Sequence, residues 1–188
     1  MLLALFAGLA TVFDIDPKNQ RAPQAISALQ AGGFVIETRP GNLDEQVSRA
    51  TRAADVNRWG DLMTDRIEWN FINKELDVRL KPKDFRSPIK YVVVSKCPTT
   101  GLISSLSIYY KPGLTVEAFG AFAQKISQKV RSQPDHSVSD AGVTLNWGKG
   151  VSREAYAYRP KDPALSASAT LLGSKKSVEC ARAFFIGS

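Results

Sequence analysis

The sequence predicts an α+β domain, in which an antiparallel sheet of about five to six strands carries one main amphipathic helix on one face. Three observations support this class. Residues 89–110 alternate between apolar and polar side chains about a turn, residues 115–131 carry a helical apolar stripe, and residues 143–186 contain several short strand patterns. Two strands, a helix and further strands in this order are typical of an antiparallel sheet that is covered by a helix.

The first two strands form a predicted β-hairpin. Ile89, Tyr91 and Val93 occupy alternate positions, residues 97–101 (CPTTG) supply turn-forming side chains, and residues 102–110 resume a period of two. Because the turn is short, we expect the two strands to be antiparallel neighbours.

The main helix is predicted over residues 115–131. Thr115 is a candidate N-cap, and Phe119, Phe122 and Ile126 recur at spacings of three and four residues. This apolar face must be buried, and the preceding hairpin offers the nearest surface.

Shorter patterns place the remaining elements. They predict, in chain order, a short helix over about 24–31, a short strand over 34–36, a helix that begins after Asn42, a second hairpin over 143–159, a strand over 165–172 and a closing strand over 177–186. The sequence thus predicts one or two smaller N-terminal helices besides the main one.

Residues 58–80 fit two patterns. As a helix they would align Asp61, Asp65 and Glu68 on one face, whereas alternating apolar residues favour a strand over about 66–72 and another over 76–80. We therefore predict strands here and expect the carboxylates to be solvated.

Residues 1–13 form an uncharged, mostly apolar run with the length of a signal-peptide core, too short to span a bilayer. No basic residue precedes the run and no clear small-residue cleavage site follows, so a membrane-anchored terminus and an ordinary buried element are alternatives. We predict export to the periplasm or the outside of the cell. Residues 1–22 would be an export segment and linker, and residues 23–188 a single domain.

The two cysteines, Cys97 and Cys180, are too far apart in sequence for a C-x-x-C metal motif. In an exported protein they can form a disulfide, provided that the last strand lies beside the first hairpin. The alternative is two unrelated thiols.

The chain of 188 residues has a net charge of +7, and its basic residues are densest between Lys74 and Lys96. Lys81, Lys83 and Arg86 are therefore candidate contacts for an anionic polymer or membrane, and residues 1–13 offer a further membrane contact. Solvated loops and strand edges are the alternative explanation of this basic run.

Catalytic patterns are sparse. The single histidine, His136, lies in a predicted polar turn, and Ser87 and Lys90 match a Ser-x-x-Lys motif at the start of a strand rather than of a helix. No zinc-ligand spacing, phosphate-binding glycine loop or calcium-loop pattern occurs. The sequence predicts no cofactor and no metal and favours a non-enzymatic role, with a small hydrolase that uses Ser87 and Lys90, or His136, as the alternative.

Aromatic residues on the predicted strands are the remaining candidate binding residues: Tyr109, Tyr110, Trp147, Tyr156 and Tyr158. If Tyr109 and one of the later tyrosines share an open sheet face, they can stack on a ring or hold an apolar anchor of a partner. Core packing is the alternative role.

These observations favour an exported, non-enzymatic domain that binds another macromolecule, such as an accessory, inhibitor or immunity-type protein. We expect another protein as the partner rather than nucleic acid, because the glycine-aromatic signature of an RNA-binding sheet is absent.

Overall fold

An eight-stranded antiparallel sheet forms the centre of the computed structural model, which describes residues 11–148, 154–159 and 165–187, with residues 185–187 described by their backbone alone. The strands are β1 (Phe34–Ile36), β2 (Asp77–Pro82), β3 (Ile89–Lys96), β4 (Ile103–Tyr110), β5 (Asp135–Ser139), β6 (Gly142–Trp147), β7 (Glu154–Tyr158) and β8 (Ala167–Leu172). Their order across the sheet is β1-β2-β3-β4-β8-β7-β6-β5. The antiparallel α+β class is confirmed, but the sheet is larger than the predicted five to six strands.

Helices lie on both faces of this sheet. They are α1 (Ala22–Ala31), α2 (Leu43–Arg52), α3 (Val56–Asn70), α4 (Val116–Val130) and α5 (Lys175–Gly187), and residues 11–14 are also helical. Within the described residues, none of these helices has both the length and the apolarity needed to cross a bilayer.

The predicted main helix is α4. The Thr115 hydroxyl accepts a hydrogen bond from the Ala118 N–H at 3.2 Å, as an N-cap does. Phe119, Phe122 and Ile126 are buried. The Phe122 ring stacks on Tyr110 of β4 with ring centroids 5.2 Å apart, so the helix packs on the sheet begun by the first hairpin, as the sequence predicts.

Two tyrosines beneath α4 have buried hydroxyls that make no hydrogen bond within the described residues, Tyr110 and Tyr156. We expect Tyr110→Phe and Tyr156→Phe each to raise the free energy of unfolding by about 1 kcal/mol, because the desolvated hydroxyl is removed. Tyr158 is the matched control, since its hydroxyl donates to the Leu114 carbonyl at 3.1 Å. Tyr158→Phe should therefore destabilise the protein by about 1 kcal/mol. Urea unfolding curves measure all three; equal effects would contradict this account.

The opposite face of the sheet carries α3. Because side chains alternate along a strand, Leu80 and Val92 enter the main core, whereas Arg79 and Tyr91 face the other way. The Trp69 ring of α3 lies on the Arg79 guanidinium. At this end the molecule is therefore three layers thick, with helices on both sides of the sheet.

The predicted strand over residues 66–72 is wrong, because this segment belongs to α3 and the turn after it. The Asp55 carboxylate caps the helix by accepting the Arg58 N–H at 3.2 Å. Of the three alternating apolar residues only Trp69 is buried, while Ile67 and Phe71 are exposed, so the alternation does not mark a sheet face. α3 has 15 residues, as many as α4, and is not one of the smaller helices predicted.

The predicted closing strand over 177–186 is also wrong, because residues 175–187 form α5. Its start is fixed locally, since the Ser174 hydroxyl accepts the Ser177 N–H at 3.3 Å. Gly173 permits the close approach that precedes α5: a Cβ there would lie 1.9 Å from the Ile103 carbonyl oxygen. α5 packs beside β4.

Cys97 and Cys180 form a disulfide, which confirms the predicted bridge. Its geometry differs from the expected one, because Cys180 lies on α5 and not on a strand. Cys97 is fully buried at the end of β3, so the bond ties α5 to the turn between β3 and β4.

The described part of the N-terminal apolar run is packed. Val12 belongs to the main core and Phe13 packs against it. Ile15, just after the run, is also a core residue, and the Lys129 ammonium of α4 donates to the carbonyls of Phe13 and Ile15. Residues 1–10 lie outside the described residues, so the division at residue 22 stays a prediction.

Candidate functional site

A buried arginine organises the contact between α3 and the sheet. Arg79 of β2 is 6% exposed, and its guanidinium carbon lies 4.5 Å from the ring centroid of Trp69 and 3.9 Å from that of Tyr91. Cations are attracted to the faces of such rings, and the planar guanidinium can stack between two of them. The arginine thus joins α3 to two neighbouring strands.

Carboxylates surround the edge of this guanidinium. Arg79 Nε donates to Glu37 Oε2 at 2.9 Å, and Arg79 Nη2 lies 3.6 Å from both Asp65 Oδ1 and Glu68 Oε2. Glu68 is buried as well and is paired with the Lys90 ammonium. The helical alignment of Asp65 and Glu68 therefore has a structural use: both carboxylates face one buried cation.

A cleft of about 470 Å³ opens beside this network, between α3 and the sheet. We call it the α3 cleft. Its floor comes from alternate residues of β3 and β4, its wall comes from α3 and the turn after it, and further lining comes from Asp77 and Leu165. The floor residues are Tyr91, Val93, Ser95, Ser107 and Tyr109, and the wall residues are Thr64, Ile67, Glu68, Phe71 and Ile72.

The rim of the α3 cleft is apolar and exposed. Phe71 is 81% exposed and Ile67 is 50% exposed. Burial raises the pKa of both floor tyrosines, Tyr91 and Tyr109, so both phenols are neutral in the physiological range. The cleft therefore offers apolar surface with a few neutral hydroxyls, which suits an apolar group of a ligand or partner.

Of the five aromatic residues that the sequence singled out, one lines this cleft, Tyr109. The other four are buried on the opposite face, beneath α4, in the main core: Tyr110, Trp147, Tyr156 and Tyr158. The reason is strand parity, since Tyr110 pairs with Ala167 and Tyr156 with Ala169, both of which are core residues. In this structure they present no contact surface.

The basic residues of the 74–96 run are largely paired. Lys81 lies 3.0 Å from Glu37, and the Arg86 guanidinium binds both oxygens of Asp84 at 3.0 Å. The hydrogen bonds from Arg86 hold the pKa of the Asp84 carboxyl below its usual range. Lys83 is exposed in the β2–β3 loop. With these pairings, the run does not form a uniformly basic patch.

The catalytic candidates do not converge. Ser87 Oγ accepts the Ile89 N–H at 3.2 Å, and the Lys90 ammonium is held by Glu68. His136 lies on β5, an exposed edge strand, instead of in the predicted turn. Among the described residues, no cluster of three or more His, Cys, Asp or Glu side chains is suited to hold a metal ion.

Sequence reasoning missed the residues that shape this site. Arg79 lies in the basic run but is not among its predicted contact residues, and Phe71 falls in the predicted strand over 66–72 that is part of α3 and its following turn. The available signal was the helical alignment of Asp61, Asp65 and Glu68, which places a row of carboxylates on one side of α3.

Comparisons with protein-family models, with curated proteins and with solved structures gave no match to this chain.

Proposed function

We propose that this is an exported, non-enzymatic binding protein of the accessory, inhibitor or immunity type, and that it holds an apolar anchor of a partner protein in the α3 cleft. The observation that carries the proposal is the exposed pair Phe71 and Ile67 at the rim of a cleft floored by Tyr91 and Tyr109. Large apolar side chains next to a concave surface are typical of protein contact sites.

The electrostatics of the cleft support a protein partner over an anionic polymer. The cleft is lined by two carboxylates, Glu68 and Asp77, and by no basic side chain. Such a lining offers no cation to bind phosphate or sulfate groups. The anionic-surface alternative also loses support because Lys81 and Arg86 are paired with carboxylates.

The enzymatic alternative has less support than binding. An activated serine needs a neighbouring base, and Lys90, the base in the Ser-x-x-Lys motif, is ion-paired with Glu68. The disulfide between Cys97 and Cys180 supports the export part of the proposal, because such bonds persist in oxidising compartments.

Site-directed photo-cross-linking tests the proposed binding surface. A benzophenone amino acid replaces Phe71 in one variant and Phe85 in a control variant, because Phe85 is as exposed (83%) but lies in the β2–β3 loop. In the producing cells we expect one discrete protein adduct from position 71 and none of that mass from position 85.

The partner found in this adduct is then purified and titrated with Phe71→Ser and Phe85→Ser variants. We expect Phe71→Ser to weaken binding by about tenfold or more, as for an aromatic residue that becomes buried at an interface, and Phe85→Ser to leave it unchanged. Equal adducts from both positions, or equal affinities of the two serine variants, would rule out the α3 cleft as the contact site.

A further inference from the structure

We propose that a second cavity, next to β1, is a binding site for a carboxylate that carries an apolar group. This cavity has a volume of about 560 Å³ and lies between the loop after β1, the start of β2 and the end of α3. We call it the β1 cavity. It is adjacent to the α3 cleft, since Ile72 and Asp77 line both.

Two arginines that line the β1 cavity have buried hydrogen-bond donors without acceptors. Arg39 Nε and Arg79 Nη1 are both buried, and neither donates a hydrogen bond within the described residues. Both arginines line the cavity, and Arg79 is 6% exposed as a whole. Buried guanidinium N–H groups are nearly always paired, because an unpaired one loses its hydration without compensation.

The acceptors of the same cavity are already engaged. Glu37 accepts from Arg79 Nε at 2.9 Å and is paired with Lys81 at 3.0 Å. Asp77 Oδ2 accepts the Asn73 N–H at 2.8 Å. The two carboxylates of the lining therefore do not accept the remaining N–H groups of the two guanidinium groups.

The charged side chains of the β1 cavity also favour an anionic ligand. Three cationic side chains line the cavity, Arg39, Lys74 and Arg79, against the two carboxylates. The two arginines are also paired with carboxylates just outside the lining, namely Asp44, Asp65 and Glu68. Lys74 is exposed at the rim and forms no ion pair in the part of the chain that the structure describes. A ligand with anionic acceptor oxygens can pair with Lys74 and accept from the guanidinium N–H groups that have no acceptor. The fork of N–H groups on an arginine matches a carboxylate.

The walls define the rest of the ligand. Ile36, Trp69, Ile72 and Val78 are apolar, and the volume falls in the range of small-molecule sites. The ligand is thus an apolar organic acid, supplied either as a free small molecule or as the C-terminal carboxylate of a peptide that ends in an apolar residue. This inference does not depend on the α3 cleft or on its protein partner.

A titration of the full chain with matched probes tests the proposal. The probes are 3-phenylpropionate and its neutral amide, and the readout is the indole N–H resonance of Trp69, which lines the cavity. We expect the carboxylate to shift this resonance and to bind about tenfold or more tightly than the amide, because hydrogen bonds to a charged acceptor are lost in the amide. Equal binding of the two probes, or no shift at millimolar carboxylate, would overturn the proposal.

A second arm distinguishes the source of the carboxylate. Acetyl-alanyl-phenylalanine with a free C-terminus is compared with the same peptide as its amide. Binding of the free peptide more tightly than the small acid identifies a peptide C-terminus as the natural ligand, whereas preference for the small acid identifies a free organic acid. In both cases the free peptide is expected to bind more tightly than its amide, and equal binding of the free peptide and its amide would overturn the proposal.

Variants separate this site from the general positive charge of the chain. We expect Arg39→Gln and Lys74→Gln each to weaken binding of 3-phenylpropionate by about threefold to tenfold, and Lys83→Gln, a change of the same charge outside the cavity lining, to leave binding unchanged. Arg39 is partly exposed and its ion pair with Asp44 lies at the surface, so Arg39→Gln should fold. Equal weakening by Lys83→Gln would show a non-specific charge effect and refute the site.

Discussion

Replacing Arg79 by alanine is expected to lower the free energy of unfolding by about 3–5 kcal/mol. Without the guanidinium, the carboxylates of Glu37 and Glu68 remain largely buried, at 17% and 9% exposure, and lose their shared cation. Each keeps one partly exposed lysine partner, Lys81 or Lys90, in place of two cations. The change also leaves a space between the rings of Trp69 and Tyr91, which no longer have the side chain that joins them.

Urea unfolding of the variant measures this effect, and Arg86→Ala provides the control. Arg86 is also an arginine paired with a carboxylate, Asp84, but the pair lies at the surface, and solvent and salt screen it. We expect no measurable change in that control. If both alanine variants unfold like the unchanged protein, the Arg79 network does not stabilise the contact of α3 with the sheet.

A double variant tests whether the cost arises from unpaired charge. Removing one member of a buried pair costs more than neutralising both, so Glu37→Gln should be less harmful in the Arg79→Ala background than alone. Because Arg79 and Trp69 join α3 to β2, the Arg79→Ala variant should also loosen the wall of the α3 cleft. Relative to the unchanged protein, amide hydrogen exchange in this variant should then accelerate more in α3 than in α4.

The parts of the fold with strong local signals were predictable from the sequence. The first hairpin, α4 with its Thr115 cap, and the strands over 143–172 appear where periodicity and turn residues place them. In α4 the buried face is continuous, with Phe119, Phe122 and Ile126, so local pattern and tertiary packing agree.

The errors occur where tertiary contacts override a short pattern. In α3 the buried side chains include Glu68, whose charge is acceptable there because Arg79 and Lys90 face it; a hydrophobic pattern cannot anticipate that pairing. β5, with the sequence DHSVS, is exposed at every position and is held by backbone pairing with β6, so it carries no apolar alternation.

The site shows the same limit. Tyr109 was singled out and does line the α3 cleft, because its side chain points away from α4. The side chain of the next residue, Tyr110, points to the opposite face of the sheet, so its ring lies in the core. The burial of Arg79 depends on contacts with residues that are distant in sequence, Glu37, Trp69 and Tyr91. No local sequence pattern can therefore indicate it.

Removal of the disulfide is expected to lower the free energy of unfolding by about 4 kcal/mol. The bond closes a loop with a sequence separation of 83 residues, and in the chain-entropy description a loop of this length restricts the unfolded chain strongly. The Cys97→Ala, Cys180→Ala double variant avoids a buried polar group at position 97, which is fully buried. Thermal or urea unfolding of this variant measures the loss.

The position of the bond predicts a second, local effect. Cys180 lies within α5, so breaking the bond releases this helix from the β3–β4 turn while the core beneath α4 keeps its contacts. Amide hydrogen exchange should therefore accelerate in residues 175–187 more than in 116–130. Treatment with dithiothreitol should reproduce both effects in the unchanged protein and none in the double variant. If the reduced and oxidised proteins unfold at the same denaturant concentration, the bond does not stabilise the fold, and a main support for the proposed export is lost.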